Sequence, residues 1–396
     1  MHRLFVIGAV VTALAAPASA VPCDQLDLGE IVYLQVGDTQ NNLLKRLGRA
    51  LRDNTSKPLA LVWRTSPSCP NIQLAYNNER VAGGTVMRYI PSAAENPTWT
   101  PSDPHLECEA PAPNIGIDVI NSALFNSACT NETPPAAVSV RNGPVQAYVL
   151  AVPEASTQTA ITFEEAYFVF GFGMAGMVNP WTVETEMFIR AVTTSTLLAW
   201  GANISVPADK WKGVRTNGSP AVVSGLKSTT NPQAAIGILG GEVYDAERAS
   251  LNVLAFRARG QYAAYYPDST STSFDKKNVR DGHYTVWSPT VWMDRLNAGQ
   301  PINASARYVT DLILGRSVTP AVSFDMIDII AKVGLVPDCA MQVKREYEGG
   351  PLSLYTPPES CVCKYESLVD TSSCATCSGS QPCATGTCRN GFCEVP

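Results

Sequence analysis

Hydroxyl side chains gather where apolar, strand-like runs give way to helical patterns. Thr39 follows the run Ile31 to Val36, Ser66 and Ser68 follow Leu59 to Trp63, and Thr194, Ser195 and Thr196 come shortly after Arg190. A helix N-terminus offers free N–H groups and the positive end of the helix dipole, so hydroxyls placed there complete a cradle for a small anion without a lysine. Arg190 would add a bidentate, charge-assisted contact. Taken singly each corner is an ordinary N-cap. Only their joint placement around one cleft makes a site. Catalytic chemistry has less to build on: beyond the first residues the histidines are His105 and His283. There is no G-x-S-x-G elbow, no G-x-x-x-x-G-K-S/T loop and no H-E-x-x-H. Asp281-Gly282-His283 has no serine implicated by spacing, and Asp268, Asp275 and Asp281 do not follow calcium-loop spacing. The sequence therefore predicts no catalytic residue, no metal and no cofactor.

The elements that would hold such corners are legible as alternating patterns. After Ile31 to Val36 comes a helix with Leu43, Leu44, Leu47 and Leu51 on one face, then a strand from Leu59 to Trp63 and a short helix beyond Cys69-Pro70. Further strands are expected at 115–119, 145–152, 235–239 and 251–256, and helices at 162–170, 194–202, 221–227, 304–314 and 323–332. Strands alternating with helices predict an α/β fold with a mainly parallel sheet. The runs 146–152 and 251–256 bracket about a hundred residues with their own helices and strand, which predicts a second lobe joined to the first by a hinge of two crossing strands. The expected division is 1–20 signal peptide, 21–145 with 255–340 for lobe 1, 146–254 for lobe 2, and 341–396 for a Cys-rich C-terminal tail.

The chain has 396 residues, of which 45% are hydrophobic and 16% charged, and its net charge is −6. Packed cores are affordable at that composition, and the acidic balance lacks the basic stripe of a nucleic-acid binder. His2 and Arg3, an apolar run from Leu4 to Ala16, Pro17 and Ala18-Ser19-Ala20 read as a signal peptide cleaved after Ala20. That run is shorter than the roughly 20 residues a membrane span needs, and no later stretch approaches that length. A periplasmic or secreted chain without a membrane span is expected. Export makes its twelve cysteines legible as disulfides. Cys23, Cys69, Cys108, Cys129 and Cys339 are spread over the body, while Cys361, Cys363, Cys374, Cys377, Cys383, Cys388 and Cys393 crowd into the tail. Both groups are odd, so full pairing needs at least one tail-to-body bridge, for which Cys339 is nearest. The Cys374-x-x-Cys377 spacing also permits zinc, but the tail has no histidine and an exported chain favours disulfides. With few large apolar residues, the tail depends on such staples.

The order of these pieces resembles the type 2 periplasmic substrate-binding proteins, closest to the phosphate-binding branch that serves ABC transporters. The resemblance spans about residues 28 to 335 and rests on VYLQVGDTQNNLLKRLGRAL, GPVQAYVLAVP with ITFEEAYFVFG, FIRAVTTSTLLAWG, NPQAAIGILGGEVYD and the late YYPDSTSTSFDKKNVRDGHYTVWSP. It implies a two-lobe periplasmic-binding-protein-like fold with an oxyanion, phosphate or similar, in the interlobe cleft, and an ABC transporter permease as partner. It also implies ligand contacts from Thr39, from Ser66 or Ser68, from Asp118 as the aspartate after the third strand, and from Arg190 with Thr194, Ser195 and Thr196. Ser195 stands where the family has glycine, and Cys69-Pro70 interrupts a loop that is usually glycine-rich. The alternative is a secreted or cell-surface interaction protein reusing the fold; an exported hydrolase would need a nucleophile that the sequence does not identify.

Overall fold

The computed structural model describes residues 21–370, 372–378 and 382–394; the signal read over 1–20 lies outside them. The first wing begins with strand β1 (Ile31–Val36), helix α1 (Asn41–Arg52), strand β2 (Ala60–Thr65), helix α2 (Ser68–Tyr76) and strand β3 (Val119–Ser122). Helix α1 buries Leu43, Leu44, Leu47 and Leu51 and ends on Arg49 and Arg52, where cations favour the helix dipole. A long strand, β4 (Val138–Pro153), then leads to the second wing: helix α3 (Phe163–Phe172), strand β5 (Met187–Arg190), helices α4 (Ser195–Ile204) and α5 (Ser219–Ser228), strand β6 (Ile236–Gly240), helix α6 (Gly241–Glu247) and strand β7 (Leu251–Val253). Thr162 and Glu165 start α3 with a reciprocal capping box. Strand β8 (Trp287–Asn297) returns to the first wing, followed by helices α7 (Ala304–Ile313) and α8 (Met326–Ala331).

Strand β4 ties the wings together. Its first part pairs antiparallel with β8, from Arg295↔Val138 to Trp287↔Ala147, and its second part pairs antiparallel with β6, from Gly240↔Tyr148 to Gly237↔Ala151. On one side β8 continues to β3, β1 and β2, and on the other β6 continues to β5. Within the wings β1–β2, β1–β3 and β5–β6 are parallel. Alternate strand residues face opposite layers. In the first wing Leu34, Trp63 and Val119 pack under Leu44 and Leu312, while Val62, Ile120 and Met293 pack under Ile72 on the other face. The second wing repeats this, with Leu150 and Ile189 against Trp200 and, behind them, Val149 and Leu239 against Val222 and Leu226. Phe256, Val279 and Tyr284 are buried in the same core as Trp200.

Two runs depart from the expected strands. The run 251–256 is divided: β7 pairs with the end of β4, whereas Ala255–Arg257 pairs with Ala160–Thr162. Val253, Leu254, Ala255 and Phe256 are all buried, and a continuous apolar stretch has no alternation to keep it on one partner. The strand that carries the chain back to the first wing is therefore β8, not 251–256. The run 115–119 is also divided, because Asn114–Ile115 pairs with Val81–Ala82 and β3 begins only at Val119.

All twelve cysteines are bridged: Cys23–Cys108, Cys69–Cys129, Cys339–Cys361, Cys363–Cys374, Cys377–Cys388 and Cys383–Cys393. The tail-to-body bridge is Cys339–Cys361, and Cys374 and Cys377 belong to different disulfides. Helix α9 (Val362–Val369) borrows the core of the body by burying Tyr365 and packing Leu368 and Val369 against it. Arg280–Glu366 at 2.8 Å and Lys364–Asp325 at 3.0 Å flank this contact. From the C-terminal hairpin Glu394 accepts the N–H groups of Cys363 and Lys364, each at 3.0 Å, and so caps α9. Replacing Cys339 and Cys361 together with serine is expected to lower stability by about 3 kcal/mol, the chain entropy released by opening a loop of this length. Thermal unfolding under non-reducing conditions measures it.

Candidate functional site

In open α/β sheets ligands lie beyond the carboxyl ends of the parallel strands, where strand gives way to helix. Here the two wings turn those corners toward each other. The first wing contributes Asp38, Thr39 and Gln40 after β1, and Ser66 and Ser68 after β2. The second contributes Arg190 and 193–196 after β5, Ser219 at the start of α5, and Glu242 in the first turn of α6.

Arg190 is only 4% exposed and fully engaged at its tip. Its Nη1 donates to Ser219 Oγ at 2.6 Å and its Nη2 to Asp38 Oδ2 at 3.0 Å. The same Asp38 oxygen accepts the Ser219 backbone N–H at 2.9 Å and the Ser219 hydroxyl at 3.1 Å. One carboxylate oxygen thus collects a guanidinium, a helix N-terminal amide and a hydroxyl, all from the opposite wing. Gly218, at φ 93°, supplies the left-handed turn that aims the Ser219 N–H at it. A second bridge runs from the Cys69 N–H to the Thr193 carbonyl at 3.2 Å.

Beside these contacts, Gln40 Nε2 donates to Gln146 Oε1 of β4 at 2.7 Å. Thr39 is buried and accepts weakly from the same nitrogen at 3.3 Å. The Thr194 hydroxyl turns back to the Ala191 carbonyl at 2.8 Å and does not cap α4, leaving the amides of that first turn without their usual side-chain acceptor. Ser195 and Thr196 are buried next to it, and the Tyr148 hydroxyl, which donates to the Ala123 carbonyl, also meets the Ser195 side chain. Burial pushes the Tyr148 phenol well above its ordinary pKa.

Several buried polar atoms of this cleft have no partner: Gln40 Oε1, Gln146 Nε2, Arg190 Nε and both carboxyl oxygens of Glu242. Glu242 is 3% exposed. Burial, with Asp38 and Asp245 adding to it, raises its pKa well above the usual carboxylate range and favours the neutral acid, which can donate a hydrogen bond. A Cβ on Gly240 would lie 2.4 Å from Glu242 Oε1, so the glycine makes room for this side chain. At the mouth, Asp38, Thr39, Asn42, Ser219, Val223 and Lys227 line a cavity of about 580 Å³.

Asp118 is not part of this assembly. Because β3 starts at Val119, Asp118 precedes the strand, and its carboxylate accepts the Tyr33 N–H at 2.9 Å with Asn303 and Arg295 alongside. Four residues of strand separate it from Ser122, a distance of about 13 Å at the usual rise. The residue that follows β3 is Ala123, whose N–H donates to Ser68 Oγ at 3.4 Å, so the acid expected at that corner is missing. Thr39, Ser66, Ser68, Arg190, Thr194, Ser195 and Thr196 do lie on the facing corners. Asp38, Gln40, Gln146, Ser219 and Glu242 join them without having been singled out in the sequence. The histidines lie apart from each other: His283 is exposed and pairs with Asp281 at 2.8 Å, and His105 sits beside Glu107.

No protein-family model and no curated protein matches the sequence. Solved structures do. A proposed phosphate ABC transporter substrate-binding protein from Clostridium perfringens, solved with bound phosphate, aligns over 78% of this chain and 99% of its own at 13% identity, with a TM-score of 0.53. The chain has the two-lobed periplasmic-binding-protein fold. An ABC-type phosphate transport receptor from Vibrio cholerae aligns over 78% of this chain and 100% of its own, at 10% identity and a TM-score of 0.47. The direct bonds from Asp38 to Arg190 and from Cys69 to Thr193 run across the cleft between the lobes.

Proposed function

We propose that this protein is an exported solute-binding protein that captures a small oxyanion, phosphate-like in size and charge, between its lobes and presents it to an ABC transporter permease. In this reading the first lobe is residues 21–145 with the chain that returns through β8. The second is 146–254 together with the Phe256 to Tyr284 stretch that shares its core. The tail, 341–396, is an appended module. One observation carries the proposal: the closed cleft holds a carboxylate oxygen in a cradle of Arg190, the Ser219 amide and the Ser219 hydroxyl. A cradle that suits a carboxylate suits other small oxyanions, and the uncapped first turn of α4 supplies further N–H groups at the next corner. Arg190 sets charge and orientation, while Glu242, held neutral, would donate a hydrogen bond instead of repelling the ligand. We assign no catalytic role to any of these groups. Disulfides throughout the chain support an oxidising location, periplasmic or secreted.

Titration calorimetry on the mature protein is the test. Saturable binding of phosphate, sulfate or a related oxyanion is expected, weakened about tenfold to a hundredfold in Arg190→Ala by loss of charge-assisted hydrogen bonds. If none of these anions binds at millimolar concentration, the oxyanion reading fails. A second reading, an interaction protein built on the same fold, is favoured by one feature: Phe168, Phe172, Met174 and Met177 are exposed together along α3 and the turn that follows it.

A further inference from the structure

The group that fills the cradle is part of the chain. Arg190 and Ser219 belong to the second lobe and Asp38 to the first, so their hydrogen bonds exist only while the lobes are closed. The guanidinium is buried, with Asp38 its ion-pair partner among the described residues, and an oxyanion seated in the cradle would take the Ser219 N–H and the Nη2 that Asp38 now holds. The Ser219 N–H has one hydrogen to give, and two anions on one buried guanidinium repel each other unless further cations offset them, as Arg307 does where Arg141 holds both Asp294 and Asp311. Binding is then an exchange: the solute's oxygen replaces Asp38 Oδ2, and the freed carboxylate turns toward the cavity at the mouth, which Lys227 also lines.

We propose that Asp38 is a resident counter-anion that latches the two lobes together and competes with the solute for Arg190 and Ser219. The exchange rests on the oxyanion reading of the cleft; the latch does not. The consequence follows from population arithmetic: a protein that spends most of its time with its own anion in the site binds solute more weakly by the fraction of time the site is free. Asp38 thereby sets both the affinity threshold and the shape of the unliganded protein. It also sets a preference, because a solute must hold the cradle with more than the single oxygen that Asp38 offers.

Small-angle scattering and calorimetry on the full mature chain, as wild type and Asp38→Asn, test this, with inorganic phosphate and sulfate as probes. Wild type is expected to be compact with and without anion. Asp38→Asn is expected to be expanded alone, to become compact on addition of anion, and to bind it at least about tenfold tighter than wild type. Asp38→Ser, with its fold checked by circular dichroism, should behave alike. Identical scattering of the free wild-type and variant proteins overturns the latch. Equal anion affinity in the two overturns the competition even if the lobes open. Open lobes in the variant with no anion bound by either protein leave the latch standing and overturn both the exchange and the oxyanion reading.

Discussion

Replacing Lys276 with alanine is expected to lower the stability of the protein by about 3–5 kcal/mol, the cost of removing one partner from a buried ion cluster. Lys276 is 1% exposed, with Nζ at 2.8 Å from Asp245 and 2.9 Å from Asp268. Burial disfavours its charge, but the two carboxylates outweigh that and raise its pKa, so it is held as an ammonium. Asp268, equally buried, also takes Arg248 at 2.7 Å and the Lys276 N–H at 2.7 Å. Without the ammonium, two carboxylates face one guanidinium in a dry site. Lys276→Met keeps most of the volume and loses the charge, so it should be nearly as harmful; if it is neutral, the cluster is held by packing alone. Urea unfolding followed by circular dichroism gives the comparison. Asp268 therefore has its cation built in, while Asp275 accepts the Ser269 and Lys277 N–H groups.

The second large effect is a loss of stability as pH rises from about 4.5 to about 7. The carboxyl of Glu348, a half-buried residue, is shut away from solvent beside the Phe125 N–H, Ser288 and Arg345, and that burial pushes its pKa up to about 7 from an ordinary 4.5. Neither of its oxygens reaches good hydrogen-bond geometry, which leaves the desolvation largely uncompensated. Below pH 4.5 the group is neutral in both folded and unfolded chains, and its contribution is fully present. Between 4.5 and 7 the unfolded chain ionises first, unfolding releases a proton, and stability falls with pH. Above 7 both states are ionised and the loss is complete at about 3 kcal/mol. Glu348→Gln should flatten the profile across that window. A profile of the same slope in the variant would assign the effect to another group. The segment that carries Glu348 touches both lobes, at Phe125 in the first and at Ala202, which faces Gly349, in the second. Ionisation therefore weakens a contact between the lobes.

Much of the fold was legible because its helices and strands are amphipathic in the ordinary way. Leu43, Leu44, Leu47 and Leu51 fix α1, and the short β-branched apolar run Ile31 to Val36, closed by Gly37-Asp38, fixes the strand before it. Patterns lost their meaning where apolar residues were continuous. The stretch from Val253 to Phe256 gave no face to follow, and Asp118 was placed by a strand that begins four residues later than its first apolar residue suggested. The cleft was half legible for a related reason. Thr39 and Thr194 to Thr196 stand out as hydroxyls at strand-to-helix corners, with Arg190 just ahead of the second group. The same corners at Asn217-Gly218-Ser219-Pro220, where proline opens a helix, and at Gly240-Gly241-Glu242 carry turn signals of equal strength. Asp38 was visible beside Thr39, but its role depends on a residue 152 positions away in the chain, and no local pattern reports that.

Strand β4 has a consequence for how the protein reaches its native state. Its pairing with β8 joins Val138 to Arg295 and Ala147 to Trp287 across the whole intervening lobe. Closing so long a loop is slow unless the enclosed chain has already condensed. The order of assembly is therefore constrained: the second lobe must collapse on the later half of β4 before β8 can dock on the earlier half. Until then β3 and β4 present unsatisfied edges that other chains can join.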